Sequence, residues 1–376
     1  MKVVIAMDSF KGSMTSLEAG YAAKEGILKA CGAKVVVKPM ADGGEGTTAA
    51  LVEGLGGTYI EVAVTGPMGR AVNARYGSLE GGRTAVMEMA QAAGIVLVER
   101  GGLDPWKAST TGVGEMILDA VRRGCREFLI GIGGSATTEG GIGMLQALGY
   151  VFYDADGQPL PPVFGSLGKI ERISAEAVPE VLKECHFQIA CDVTSPLCGE
   201  NGAVYVFGAQ KGVKEQEKGE MDEAMRHYAQ KTAEFCGKDN SLEPGAGAAG
   251  GLGFALISFL PNAKLKSGID IVLKAIGLEK ELADTDIVVT GEGRLDAQTA
   301  MGKVPAGVAQ LAKKYQCRVV AFAGGVTEDA VKCNEVGIDA FFPIVRGVAT
   351  LEQAMDTENA KRNLSLSAEQ VFRLLF

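Results

Sequence analysis

Glycine-rich loops that directly follow apolar, β-branched runs are the feature that most constrains how this chain can fold. The longest, "GIGGSATTEGG" at 131–141, follows the apolar "EFLI" at 127–130. The 376 residues include 52 glycines, nearly twice the roughly 7% of average usage. These glycines have no three-residue period, so a collagen-like chain is excluded. Such loops are typical of the carboxyl edge of a parallel α/β sheet, where ligands bind.

Both ends of the chain alternate predicted strands with predicted helices. The N-terminal part has an apolar run at 2–6, a helical segment from about Ser16 to Ala30 and a second apolar run at 33–40. The C-terminal part repeats this order, with predicted strands at 286–290, 317–325 and 339–345. A βαβαβ order predicts parallel strands covered by helices. We therefore expect an α/β fold in which both ends form one doubly wound, Rossmann-like or flavodoxin-like sheet.

The middle of the chain has a different pattern. Between 58 and 90, short alternating runs are broken by Gly-Pro and Gly-Gly pairs, which predicts antiparallel hairpins. We therefore predict two domains. One is a discontinuous Rossmann-like domain of residues 1–66 and 285–376, and the other is an inserted, mixed α+β domain of residues 67–284 that carries glycine-rich phosphate-binding loops.

Charge and hydropathy exclude several classes of partner. The formal net charge is −9, and no basic run is longer than a residue pair, so we expect no nucleic-acid partner. We find no signal peptide and no apolar stretch long enough to span a membrane, which predicts a cytoplasmic protein without a membrane partner. The eight cysteines are scattered singly, as in a reduced protein. The oligomeric state stays open, and a homo-oligomer is one of the alternatives.

The glycine-rich loop at 131–141 is suited to an anion. Backbone N–H groups can approach an anion closely where no Cβ intervenes, and those that open a helix carry the positive end of its dipole. We predict that Gly133, Gly134, Ser135 and Thr137 contact a phosphate group. The alternative is a tight strand-to-helix connection whose glycines only permit close packing. An ordinary P-loop is absent, and "PGAGAAGG" at 244–251 follows a polar segment, which argues against a dinucleotide site.

Charged side chains of both signs lie on the other glycine-rich loops. The loops "DSFKGS" at 8–13, "ADGGEGT" at 41–47 and "TGEGRLDAQTAMGK" at 290–303 each follow a predicted strand. They carry the cations Lys11, Arg294 and Lys303 and the carboxylates Asp8, Asp42, Glu45, Glu292 and Asp296. Cations for phosphates and oxygen ligands for Mg²⁺ are what phosphoryl transfer needs.

These segments resemble the motifs of the type I glycerate kinases, in the same order and over almost the whole chain. The matching stretches are "IAMDSFKGSMTSLEAG", "PMADGGEGT", "GIGGSATTEGGIGMLQALG", "ACDVTSPLCGENGAVYVFGAQKG", "PGAGAAGGLG" and "TGEGRLDAQTAMGKVPAGVA". The resemblance implies phosphorylation of D-glycerate with ATP and Mg²⁺, giving 2-phosphoglycerate in most bacterial members. It also implies a two-domain fold with the active site between the domains.

The chain departs from the family pattern at four positions. Met7 stands where the family usually has Pro, Thr138 and Ser195 where it has Asn, and Glu139 where it has Asp. Thr and Ser keep a hydroxyl but lose the paired donor and acceptor of an amide. These changes bear on the geometry of nucleotide or metal binding and on substrate preference, and less on the reaction class.

We assign candidate roles as follows. The carboxylate of the acceptor and the transferring phosphoryl group are held by Ser9, Lys11 and Arg294, with Asp296 beside them. The general base is Asp192, with Asp42 as the second choice, and Lys11 and Arg294 also act in catalysis. The alternative for Asp192 is an aspartate that caps a turn. Nucleotide binding is assigned to Gly133, Gly134, Ser135, Thr137 and Lys303. The metal ligands are Asp42, Glu45 and Glu292.

Three other functions share these features. The first is a kinase that forms 3-phosphoglycerate, and the second is a kinase for another small hydroxy acid. The third is a binding protein for such metabolites that does not catalyse a reaction. The many carboxylates beside the cations argue against the third, because they would weaken simple anion capture.

Overall fold

A computed structural model describes residues 1–99 and 101–376. Its strands are β1 Lys2–Met7, β2 Lys34–Pro39, β3 Thr58–Thr65, β4 Ala71–Leu79, β5 Thr84–Glu88, β6 Glu127–Gly131, β7 Val151–Tyr153, β8 Arg172–Ser174, β9 His186–Ala190, β10 Ala263–Lys266, β11 Ile287–Leu295, β12 Arg318–Val326 and β13 Ala340–Pro343. Its α-helices are α1 Ser16–Ala30, α2 Thr47–Leu55, α3 Ala90–Ala93, α4 Thr111–Arg122, α5 Ile142–Ala147, α6 Ala203–Phe207, α7 Lys218–Cys236, α8 Ala248–Phe259, α9 Gly268–Ala275, α10 Leu278–Leu282, α11 Val304–Lys314, α12 Lys332–Glu335, α13 Leu351–Met355 and α14 Thr357–Leu375.

The described residues divide into two compact units. Unit 1 consists of residues 1–42, 49–56 and 269–376, and unit 2 consists of residues 43–48 and 57–268. We predicted divisions at 66/67 and 284/285, and the structure divides the chain elsewhere. Strand β3 pairs with β4 along its whole length, and this ladder makes residues 58–65 part of unit 2.

Unit 1 contains a five-stranded sheet with the order β13-β12-β11-β1-β2. All its strand pairs are parallel. Numbered along the chain within this unit, the order is 2-1-3-4-5, which is the flavodoxin-like arrangement. The prediction of a doubly wound sheet built from both ends of the chain is confirmed. The β-branched run of β1 is buried throughout, as expected for a strand covered on both faces.

Helices α1 and α14 pack closely against each other beside this sheet. An ideal Cβ on Gly26 of α1 would lie 1.9 Å from the carbonyl oxygen of Ser365 in α14. Only glycine allows the two helix backbones to approach so closely. This packing helps to hold β1 in place, and the loop after β1 contributes to the site described below.

Unit 2 contains a six-stranded sheet with the order β10-β9-β6-β5-β4-β3. Strands β3, β4 and β5 are antiparallel, which confirms the hairpins predicted for this part of the chain. Strands β5, β6, β9 and β10 are parallel, and we did not predict this half of the sheet. In the part of the chain that the structure describes, no helix is both long and apolar enough to cross a membrane.

Candidate active site

A cavity of about 500 Å³ lies in unit 1 at the carboxyl ends of β1, β11 and β12. Volumes of roughly 300–1,000 Å³ are usual for small-molecule sites. The cavity lies beside the β1/β11 neighbours where the strand order reverses, the switch point at which open α/β sheets bind ligands. One part of its wall is apolar and includes Ile344, Leu351, Ala354 and Met355. The rest of the wall is polar and charged.

The polar wall brings together residues that are far apart in the sequence. The predicted site residues that line it are Ser9, Lys11, Asp42, Glu292, Arg294, Asp296 and Lys303. They meet there because parallel strands end at the same edge of the sheet. The remaining predicted residues belong to unit 2: Glu45, Gly133, Gly134, Ser135, Thr137 and Asp192.

The three cations of the cavity are only loosely paired with carboxylates. Lys11 Nζ lies 3.9 Å from Asp42 Oδ2. Arg294 Nε and Lys303 Nζ each lie 3.8 Å from one oxygen of Asp296. The side chains of Lys11 and Arg294 are both 69% exposed. Exposed pairs at such distances are weak, so both cations can turn towards an anionic ligand at little cost.

Asp8, for which we predicted no role, lines the same cavity. Its side chain is buried and one of its oxygens accepts a hydrogen bond of 2.7 Å from the Ser9 N–H. Burial, together with the charge of Asp42, raises the pKa of Asp8 to about 7. A carboxyl with a pKa near neutrality can exchange a proton at neutral pH. Its place directly after β1 was the available sequence signal.

Glu292 is the second buried carboxyl of the cavity. Burial raises its pKa, while a hydrogen bond of 2.5 Å from Thr299 Oγ1 to Glu292 Oε1 lowers it in part. Asp296 accepts hydrogen bonds from the N–H groups of Gln298 and Thr299. These contacts tie Glu292, near the end of β11, and Asp296, directly after it, to the turn that contains Thr299.

The carboxylates of the cavity suit Mg²⁺ only if water and substrate phosphates supply the other ligands of the ion. Among the described residues, no group of three or more His, Cys, Asp or Glu side chains is arranged to hold a metal ion by itself. Mg²⁺ usually keeps several waters and takes one or two carboxylates together with substrate phosphates. Asp42 and Glu292, whose charges both act on Asp8, are suited to that kind of site.

The glycine-rich loop of unit 2 connects β6 to α5 and is exposed only near its start. Gly133 and Gly134 are exposed, and within the described residues neither N–H donates to another group of the chain. The loop is held by hydrogen bonds from Ile95 N–H to the Gly134 oxygen and from Ala136 N–H to the Ala93 oxygen. Two free N–H groups on a fixed loop can bind a phosphate oxygen.

The rest of this loop is buried. Ser135 retains 8% of its surface, and Thr137 retains none. The Thr137 hydroxyl therefore does not reach solvent in this conformation, although it was predicted to contact the nucleotide. The exposed members of the predicted set are Gly133 and Gly134, with Ser135 at the margin.

Glu139 lies three residues before the first residue of α5. Its side chain is completely buried, and its Oε1 accepts hydrogen bonds from the N–H and the hydroxyl of Thr110. Burial raises the pKa of Glu139, while these bonds and the N–H groups of Gly141 and Ile142 lower it. We predicted that this helix start faces an anion, and in the structure the chain's own carboxylate lies there.

The glycines of "PGAGAAGG" serve packing. Gly250 has a φ of 68°, and an ideal Cβ on it would lie 2.2 Å from the Thr137 carbonyl oxygen. Its own carbonyl accepts a hydrogen bond of 2.9 Å from the Gly140 N–H. The start of α8 therefore packs directly on the loop that follows β6, which leaves no need for a dinucleotide to explain this motif.

Asp192 and Glu45 are both exposed side chains of unit 2. Asp192 follows β9, and its Oδ1 accepts a hydrogen bond of 3.0 Å from the Gly268 N–H. This contact suits a turn-stabilising aspartate, the alternative to a catalytic one. Neither side chain lines the cavity of unit 1.

Known proteins resemble this chain over its full length. The model of the Glycerate kinase family matches residues 3–376. The glycerate 2-kinase of Escherichia coli strain K12 is 44% identical over 355 residues, which cover 94% of this chain and 93% of that protein. The glycerate kinase of Haemophilus influenzae strain Rd is 43% identical over 376 residues, or 100% of this chain and 99% of the relative.

The fold agrees with this similarity. The crystal structure of a Salmonella typhimurium LT2 protein assigned as glycerate kinase 2 has a TM-score of 0.92 and 42% identity, and the match covers 100% of this chain and 98% of that one. The resemblance drawn from the sequence motifs is confirmed. The chain belongs to the glycerate kinase family, and it is a kinase.

Proposed function

We propose that this kinase transfers the terminal phosphoryl group of ATP to the 2-hydroxyl of D-glycerate, giving 2-phosphoglycerate and ADP. The relatives named glycerate kinase support glycerate as the acceptor. The observation that carries the proposal is the cavity of unit 1, in which three cations lie beside four carboxylates at the carboxyl edge of a parallel sheet. That combination suits a small anionic acceptor and a transferring phosphoryl group.

The acceptor would be held by Ser9, Lys11 and Arg294. The two exposed cations can bind the glycerate carboxylate and offset charge that develops on the phosphoryl oxygens. Asp296, 3.8 Å from Arg294 and from Lys303, would lie beside the acceptor, and its weak pairing leaves Arg294 able to turn towards the bound anion. Lys303 would then be available to a nucleotide phosphate.

In the reaction, the acceptor hydroxyl oxygen forms a bond to the terminal phosphorus while the bond from that phosphorus to the ADP oxygen breaks. The hydroxyl proton passes to a carboxylate. Asp192 remains our first choice and Asp42 the second. Asp8 is a third candidate, because it lines the cavity and its pKa is raised to about 7.

ATP phosphates would contact the N–H groups of Gly133 and Gly134 and the hydroxyl of Ser135. Asp42 and Glu292 would hold Mg²⁺, and Glu45 is a further candidate ligand. When bound, the ion would neutralise charge on the phosphate oxygens. The buried side chains of Thr137 and Glu139 would fix the loop from the interior of unit 2.

The test is a coupled ADP-release assay with ATP, MgCl₂ and D-glycerate, followed by phosphorus NMR of the product. A 2-phosphoglycerate signal is expected. A 3-phosphoglycerate signal would contradict the proposed site of transfer and keep the acceptor. Turnover with another small hydroxy acid, and none with glycerate, would overturn the acceptor.

A further inference from the structure

Lys211 is a buried lysine that the proposed function does not use. It lies shortly after α6 and only 2% of its surface is exposed. Lysine is almost never buried to this degree unless it is paired. Its Nζ donates hydrogen bonds of 2.6 Å to Ser135 Oγ and 2.7 Å to the Thr137 carbonyl oxygen. Both acceptors belong to the glycine-rich loop.

Lys211 and Glu139 hold this loop from the interior of unit 2. Burial lowers the pKa of Lys211 to about 7, and the charge of Glu139 opposes that change. Glu139 is in turn bound by Thr110, whose hydroxyl also accepts a hydrogen bond from the Met144 N–H. The loop is therefore tied at Ser135, Thr137 and Glu139, while Gly133 and Gly134 remain exposed.

The contact with Lys211 also determines which hydrogen bonds the Ser135 hydroxyl can still form. A serine hydroxyl has one hydrogen to donate and two lone pairs that accept. Because one lone pair of Ser135 accepts from Lys211, the hydrogen of Ser135 remains free to donate to another group. Ser135 retains a little exposed surface and follows the two exposed glycines. Its hydroxyl is thus suited to donate to an anion bound at Gly133 and Gly134.

We propose that Lys211 is a positioning residue for nucleotide binding, which fixes the glycine-rich loop and orients the Ser135 hydroxyl as a donor to a phosphate of ATP. Lys211 does not contact the nucleotide. Its effect on binding passes through Ser135. This inference rests on the proposed role of the loop in binding ATP.

The test is a double-mutant cycle with Lys211→Met, Ser135→Ala and the double variant. Binding of a non-hydrolysable ATP analogue with MgCl₂ is measured by calorimetry, and kcat and the KM for ATP are measured separately. Each single substitution should weaken analogue binding about tenfold, since each removes a hydrogen bond that serves a charged group. The double variant should be no weaker than the weaker single variant. The KM for D-glycerate should not change.

Lys214→Met is the matched control, because Lys214 lies three residues further along the chain and its side chain is 70% exposed. It should bind the analogue normally. A purely structural role for Lys211 would lower the melting temperature but would give independent effects, so a double variant about a hundredfold weaker than wild type would overturn the proposal.

Ser135→Ala keeps the proposal testable even if Lys211→Met does not fold. Normal analogue binding by a folded Ser135→Ala protein would overturn it. Wild-type protein that does not bind the analogue would overturn this inference and the proposed function together. Wild-type binding with unaffected variants would overturn the inference alone.

Discussion

Burial of the Asp8 carboxyl predicts a pH-dependent loss of folding stability, and its size can be worked out from the structure. Asp8 keeps 7% of its surface, and burial raises its pKa from 3.8 to about 7. At about 1.4 kcal/mol per pH unit, this difference amounts to roughly 4 kcal/mol. It is the free energy by which the ionised group favours the unfolded chain at neutral pH. The sheet edge is destabilised where the site is built.

The direction of the pH dependence follows from the raised pKa. Below about pH 4, Asp8 is protonated in both states and contributes nothing. As the pH rises towards about 7, the unfolded chain loses the proton while the folded protein keeps it, so stability falls. Above that range the penalty is constant. Asp8→Asn removes it, and the amide oxygen can still accept from the Ser9 N–H.

We therefore expect Asp8→Asn to be more stable than wild type at about pH 8, with less than half of that advantage at about pH 5. At about 2 °C per kcal/mol, the upper limit for the rise in Tm is roughly 8 °C. The assay is thermal unfolding followed by circular dichroism in buffers without Mg²⁺. An equal Tm for the two proteins at pH 8, or the same advantage at both pH values, would refute the reasoning.

Two further variants sharpen this test. Asp156→Asn changes an exposed aspartate in the same way and should show no pH-dependent gain. Asp42→Asn removes the charge that adds to the raised pKa of Asp8. In that background the advantage of Asp8→Asn should shrink, because the pKa of Asp8 moves back towards its ordinary value.

Three predictions concern catalysis. Lys11→Met should lower kcat/KM for D-glycerate by about a hundredfold, because a cation at the acceptor is lost; near-normal turnover would show that Lys11 only covers the surface. Asp192→Asn should lower kcat at least about a hundredfold without unfolding the protein if Asp192 accepts the proton; a tenfold effect or less would exclude that role. Gly134→Val should raise the KM for ATP at least about tenfold, because a side chain would cover the free N–H groups; an unchanged KM would argue against phosphate binding there.

Each of these three variants has a matched control in the same unit. Lys29→Met removes an exposed lysine of α1, which forms an ion pair with Glu25 of the same helix. Asp239→Asn changes another exposed aspartate that accepts one backbone hydrogen bond, from Ser241. Gly157→Val places valine at a glycine with a φ of 73°, close to the 72° of Gly134, where nothing lies within 4 Å. All three should leave the kinetic constants unchanged.

The sequence could predict the parts of the site that follow from the order of strands and loops. Parallel strands present their carboxyl ends at one edge, so Lys11 after β1 and Arg294 at the end of β11 had to come close once both strands joined one sheet. The same reasoning predicted a doubly wound sheet, Rossmann-like or flavodoxin-like, because β-branched apolar runs that alternate with helices are typical of buried parallel strands. Only the strand order in the structure decided for the flavodoxin-like arrangement.

Tertiary structure alone decided which side chains of those loops are accessible and which protonation state their ionisable groups favour. In the sequence, Ser135 and Thr137 are equally plausible hydroxyl donors to an anion. In the structure, Thr137 packs against Gly250 and is buried. The sequence likewise shows Lys211 as an ordinary lysine, and only the fold places its ammonium group beneath the glycine-rich loop. Burial and the pKa shifts that it causes depend on segments far apart in the chain, and no local pattern records them.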